Sequence, residues 1–239
     1  MSIIIFLILS ATFSLDYFFV SEKMCNFAAM NENNWSENII IVDADYVDSV
    51  AFDLIVNFER MLGRRIPQAD LARWIVCVAL DGGLRQKEPD ADGTPATDGN
   101  ETHVILIHDK QHQELKNFLP SNYEKELNAK AFKDHLGEFT LSALPVEPLT
   151  TKADFFIETL QLVCSQKEVK RIMVVADAEQ IYNKVRQTLD KIDDDDHKRI
   201  TVFVMQPMPG GAFRQEILGY SLMSALGIHS EELEEKLKG

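Results

Sequence analysis

The chain has 239 residues, 46% hydrophobic and 26% charged, with a formal net charge of -14. That is the composition of an ordinary globular protein with one sizeable core, and its acidity repels nucleic-acid phosphate unless a local basic patch or bridging cations intervene. Three cysteines cannot make a paired framework; Cys77 in "WIVCVAL" and Cys164 in "LQLVCSQ" read as buried thiols of a reducing compartment, so the expected localisation is cytoplasmic.

The opening "MSIIIFLILSATFSLDYFFV" is apolar, but no Lys or Arg precedes the run and no small-x-small cleavage site closely follows it. The stretch before Asp16 is short for a membrane span. Residues 1–36 are therefore expected to lie outside the fold, with Met30 as the natural start and an export signal or anchor as the alternatives; no membrane role follows if the leader is artefactual. Residues 37–239 are expected to form a single domain.

"NIIIVDAD" is a short β-branched run suited to a strand covered on both faces. "SVAFDLIVNFERMLG" has helical spacing and closes on Gly63. "PQADLARWIVCVALDGG" opens on Pro67 and ends in Gly82-Gly83, the signature of a second helix. Residues 85–101, "RQKEPDADGTPATDGNE", read as a mobile surface loop. "HVILIHD" then predicts a strand, "QHQELKNFL" a helix, "NYEKELNAKAFKDHLG" a further helical stretch, and "EFTLSALPVEPL" a strand. "TKADFFIETLQLVCSQ" predicts a helix, "KRIMVVAD" a strand and "AEQIYNKVRQTLDKI" a helix; "DDDD" at 193–196 reads as a solvated turn. "RITVFVMQPM" is the last strand expected, and "FRQEILGYSLMSALG" the last helix, with Leu218, Tyr220, Leu222 and Met223 either packing on the domain or leaving a homo-oligomer open. Five buried strands separated by helices imply a mostly parallel sheet in a three-layer α/β/α sandwich, Rossmann-like in architecture, with right-handed crossovers.

Sites in such sheets gather at the carboxyl ends of the strands, near the reversal of strand order. Here "IIIVD" ends in Asp43, "VILIHD" in Asp109 and "IMVVAD" in Asp177. If the first and fourth strands are neighbours, Asp43 and Asp177 converge at the rim, with Asp45, Asp154 and Glu179 nearby. Converging carboxylates repel one another and favour a proton or a hard cation, Mg²⁺ or Mn²⁺, which would also screen phosphate.

The succession "VDADYVD", "TTKADFFIETL" and "VVADAEQIYNKV" over residues 38 to about 205 resembles the NYN branch of the PIN-like nuclease superfamily. The chain also has the look of an uncharacterised bacterial family. The NYN resemblance implies a PIN-like five-stranded domain and, for active members, divalent-metal ribonuclease chemistry, with RNA held through a metal-bridged acidic cleft; nothing marks a DNA binder. By position, Asp43 matches the first carboxylate, Asp154 the helix carboxylate, and Asp177 with Glu179 the last pair. Asp43, Asp154 and Asp177 are thus the expected catalytic residues and metal ligands, with Asp45 and Glu179 in the outer shell. The branch usually places Asn where Tyr46 stands, sets its lysine one residue further from the helix carboxylate than Lys152 is from Asp154, and carries a Ser where "VVADAE" has none. Those departures, with the net charge, support an alternative: a PIN-like binding or regulatory module without catalysis.

Each acid also has a plainer role. Asp43 and Asp177 can cap the helices after their strands, Thr151-x-x-Asp154 has capping-box spacing, and Glu179 can be a first-turn helix acid. Lys152 could steer phosphate or simply stand exposed beside a cap. "HDKQH" has a two-histidine spacing, but His108 closes a strand and His112 opens the next segment, so they do not share a helix face. No glycine-rich phosphate loop follows the first strand, and "MPGGAFRQE" reads as a plain turn before a helix. Neither fold cysteine has a persuasive histidine partner, and Trp35 and Trp74 form no stacking platform.

Overall fold

A computed structural model describes residues 35–87, 99–192 and 198–238. Residues 1–34, the acidic stretch 88–98 and the aspartate run 193–196 lie outside the described residues, and with them the expectations for the leader, most of the loop and the turn.

Strand β1 (Asn38–Asp43) is buried along its whole length. Ile39 and Ile41 join one apolar cluster while Ile40 and Val42 join the other, so alternate side chains feed two cores. It pairs in parallel with β3 (Asn100–Asp109) on one side and β7 (Arg171–Val175) on the other. The sheet continues through β6 (Gly137–Val146) beside β3, and through β8 (Arg199–Val204) and β9 (Arg214–Ile217) beyond β7. An antiparallel edge strand, β5 (Lys130–Asp134), completes a seven-stranded sheet in the order β5-β6-β3-β1-β7-β8-β9. Counting only the parallel strands in chain order, this is 3-2-1-4-5-6, a doubly wound α/β fold whose reversal falls at β1 and β7. The first and fourth strands expected from sequence are therefore neighbours.

Helices α1 (Ala44–Leu62) and α2 (Leu71–Asp81) cover one face, joined by α5 (Leu218–Ala225). Helices α3 (Lys152–Ser165) and α4 (Tyr182–Leu189) cover the other. A last helix, α6 (Ser230–Lys238), contacts α1. Helix α1 begins directly after Asp43, which caps it, and stops at Gly63 in the left-handed region with φ 68°. Helix α2 is capped by Asp70 rather than opened by Pro67. Cys77 and Cys164 are free thiols. Among the described residues no helix is long and apolar enough to cross a membrane.

The sequence-based elements fail in three places. The expected helix at 111–119 is an irregular segment with a two-residue strand, β4 (Phe118–Leu119), paired to β2 (Ala69–Asp70). Its amides go to partners outside it: Lys116 and Asn117 donate to Asp48, and Leu115 donates to the Ser121 carbonyl. Phe118 is buried edge-on against Trp74, which pins the segment to α2. The expected helical stretch at 122–137 is a single π-helical turn, Tyr123–Leu127, followed by β5. In "KAFKD" Phe132 lies flat against Phe139 of β6, while Lys130 and Lys133 are exposed and give the edge a charge that resists pairing with another chain. The last expected helix is split, because Arg214–Ile217 pairs with β8 and only then does α5 begin. The sheet accordingly has seven strands where five are expected, and β3 starts at Asn100, inside the predicted loop. In α5, Leu218 and Leu222 pack on the domain while Tyr220 is exposed.

Gly137 opens β6 at φ 137°, and a Cβ there would lie 2.1 Å from the Asn100 carbonyl oxygen. Both a strained backbone and a backbone clash follow from any side chain. Gly137→Ala is expected to lower stability by more than about 1 kcal/mol in urea unfolding.

Candidate functional site

Chain reversal between β1 and β7 opens the carboxyl rim of the sheet. Asp43, the last residue of β1, is 3% exposed. Its Oδ1 accepts the Tyr46 amide at 3.0 Å, capping α1, and also the Lys152 ammonium at 2.7 Å. Lys152, the first residue of α3, donates a second hydrogen bond to Asp45 Oδ2 at 3.0 Å. One cation thus bridges two carboxylates from the start of a helix on the opposite face of the sheet.

Asp45 is saturated. Besides Lys152, its Oδ2 accepts the Asp109 amide at 2.8 Å, and Oδ1 meets His112 Nδ1 at 2.6 Å. Burial alone would raise the Asp45 pKa, but the bonds from His112, the Asp109 amide and Lys152 together hold it below the usual carboxylate value. For Asp43 the balance reverses: burial outweighs the pull of Lys152 and leaves its pKa raised. Burial would strip the Lys152 proton, yet the two carboxylates more than offset this and its pKa is raised. The retained state is an ammonium between two acids.

Asp48, the third acid of "VDADYVD", organises the neighbouring loop. Its carboxylate accepts the amides of Lys116 and Asn117 at 2.8 to 3.1 Å, while its carbonyl accepts from the Asn117 side chain. The loop so held carries His112 to Asp45. Behind it, His108 and Tyr123 stack with centroids 3.7 Å apart, forming an aromatic wall. The Tyr123 pKa is raised, by burial first and then by the charges of Asp45, Asp48 and Asp43.

Asp177 lies two residues beyond β7, where its Oδ1 accepts the amides of Glu179 and Gln180 in a tight turn. Tyr46, in the first turn of α1, feels the charges of this turn and of Asp43. Burial pushes its pKa up to about 12, and the charges of Asp177, Glu179 and Asp43 add to that. The parallel register of β1 and β7 puts Asp43 and the Asp177 turn at one rim.

Asp154 is engaged elsewhere. Its amide donates to Thr151 Oγ1 at 3.1 Å, the Thr151 hydroxyl donates to its Oδ2 at 2.7 Å, and Lys184 of α4 donates to its Oδ1 at 2.9 Å. The Lys184 and Thr151 bonds hold this exposed carboxyl below its usual value. The capping-box spacing does what it does in other helices.

A Mg²⁺ or Mn²⁺ ion needs several oxygens free to converge at about 2.0–2.1 Å. Asp45 and Asp154 have both oxygens occupied, and Oδ1 of Asp43 and of Asp177 already accepts two donors. Among the described residues, no three His, Cys, Asp or Glu side chains are grouped so as to hold a metal ion. In this arrangement the ammonium of Lys152 supplies the positive charge beside Asp43 and Asp45.

The elements that carry this rim, from β1 to α5, all fall within residues 32–233, which match DUF6621, a family of unknown function. The chain belongs to DUF6621. No curated protein and no solved structure matches it. What sequence reasoning did not find in this DUF6621 chain is the bridging role of Lys152 and the partnership of His112 with Asp45. Lys152 had a signal, standing directly after a helix cap, but its partners lie 109 and 107 residues away.

Removing the lysine strands a buried carboxylate. Lys152→Met is expected to lose about 3 kcal/mol near pH 7, the low end for breaking a buried pair because the lysine is partly exposed. Without its partner Asp43 folds with a pKa further above the reference 3.8, so the deficit is full at neutral pH and shrinks as pH falls through that raised value, leaving near pH 4 the smaller part owed to Asp45, whose pKa lies below 3.8. Urea unfolding of both proteins from pH 7 to pH 4 measures it.

Proposed function

We propose that this chain is a PIN-like module that binds without cleaving, its acidic rim held in a fixed, charge-compensated state by Lys152. The observation that carries the reading is the bridge from Lys152 Nζ to Asp43 and Asp45 at 2.7 and 3.0 Å. An ammonium there does two things a divalent ion would otherwise do: it offsets the buried charge and ties α3 to β1. It cannot activate water in the way a Lewis acid does. The capping role of Asp154 and the net charge of -14 support the same reading, since neither offers a phosphodiester a place to sit.

A second reading, a Mg²⁺- or Mn²⁺-dependent ribonuclease, is favoured by one observation, the register of β1 and β7 that brings Asp43 and the Asp177 turn together at the switch point of the sheet. It requires Lys152 to leave Asp43, with Asp43 and Asp177 becoming ligands, Asp154 turning from Lys184, and Asp45 and Glu179 supporting from outside.

Incubation of mixed RNA with Mn²⁺ separates the two. The binding-module reading expects no cleavage by the wild type and none by Asp43→Asn, and no saturable Mn²⁺ uptake by the wild type in calorimetry below about 1 mM, the weak end of carboxylate sites. Cleavage by the wild type that Asp43→Asn abolishes would instead establish the nuclease.

A further inference from the structure

The opposite rim of the sheet carries the reverse charge. Strands β7, β8 and β9 each begin with an arginine, Arg171, Arg199 and Arg214. Arg171 and Arg199 are register partners, and Arg214 pairs two residues further along β8 at Thr201. Alternation places all three on the α2 side, because Ile172, Ile200 and Ile217 between them face the other core. Arg85, just beyond α2, completes the group.

Part of this cluster closes the end of α2. Arg85 Nη1 donates to the Leu80 carbonyl at 2.8 Å, Arg171 Nη1 to Gly82 at 2.7 Å, and Arg214 Nη2 to Asp81 at 2.5 Å. Cations at a helix C-terminus need no further explanation. That role leaves a remainder. The exposed Arg199 guanidinium has no hydrogen bond or ion pair among the described residues. Arg171 Nε is buried with no acceptor among the described residues. Among the described residues, Asp81 and Glu216 stand beside these guanidiniums, and Glu216 is paired to Arg214. Arg171 Nη1 and Arg214 Nη1 also converge on Gly83, lying 3.0 and 3.9 Å from the point a Cβ would occupy. Gly83 has φ +83°, so glycine both makes the turn and keeps that space clear.

We propose that Arg85, Arg171, Arg199 and Arg214 form an anion site on the amino rim of the sheet, which takes the phosphate or pyrophosphate group of a small molecule. Planar guanidiniums match tetrahedral oxyanions in pairs, and a multiply charged anion supplies the acceptors that the buried Nε and the unpaired Arg199 lack. Local positive charge of this kind is what an otherwise acidic chain needs to hold phosphate. Burial foremost, then Arg199, Arg85 and Arg214, depresses the Arg171 pKa, a repulsion an anion would relieve. The site is independent of the acidic rim and of its proposed role.

Calorimetric titration of the full chain at low salt with inorganic phosphate and with pyrophosphate tests it. Pyrophosphate is expected to bind saturably, one per chain, and more tightly than phosphate. Arg199→Gln, which breaks no side-chain bond among the described residues, is expected to weaken it at least about tenfold, as for loss of one charged hydrogen-bond partner. Arg186→Gln, a half-buried arginine of α4 paired with Asp190, is expected to leave affinity within about twofold. Failure of the wild type to bind either anion overturns the proposal. So does equal weakening by both variants, which would indicate diffuse attraction without a site.

Discussion

The ammonium of Lys152, set between Asp43 and Asp45, is the constraint on which the carboxyl rim depends. Asp43 ends the central strand, where the apolar run of β1 has already excluded water, so its charge has no solvent to compensate it. The same carboxylate caps α1 and meets α3 through the lysine, joining one strand and two helices on opposite faces of the sheet. Asp45 then becomes tolerable beside it only because each of its oxygens is also bonded on the loop side, by His112 and the Asp109 amide. Asp48 fixes that loop. The three acids that follow the first strand thus divide three tasks: a buried cap, a shared acceptor and a loop anchor.

The parts legible in sequence were those decided by short-range physics. Continuous β-branched runs gave β1, β3, β7 and β8 because a strand buried on both faces has no polar alternation to disguise it. Gly63 marked the end of α1, and Thr151 with Asp154 marked the start of α3, since caps act within one turn. The segment from 111 to 137 misled because its charges and apolar residues recur at three and four, the spacing of a helix. The backbone there is satisfied instead by Asp48, 68 and 69 residues away, and by β6. Tertiary partners override local preference in such cases. The site followed the same division. Acids at strand ends were visible, whereas the pairing of Lys152 and His112 with them depends on distant segments meeting.

A parallel sheet also sorts charge before any function is considered. All its strands start at one rim and end at the other, so the helices that follow them begin at the carboxyl rim and finish at the amino rim. Helix N-termini favour acids and C-termini favour bases. Asp43, Asp154 and Asp177 at one rim, and Arg85, Arg171 and Arg214 around the end of α2 at the other, are in large part this sorting made visible.

What exceeds the sorting is more informative. Lys152 is the first residue of α3, where the helix dipole disfavours a cation, so its position is explained by the two carboxylates it bridges and not by its helix. At the other rim, three guanidiniums suffice for the carbonyls of α2, and the dipole gives no reason for Arg199 to join them or for Arg171 to bury a donor unused. Each rim therefore holds one charge that the fold's own electrostatics does not account for. At the first rim the chain answers that charge from within, by pairing; at the second, among the described residues, the Arg171 Nε and the Arg199 guanidinium have no acceptor.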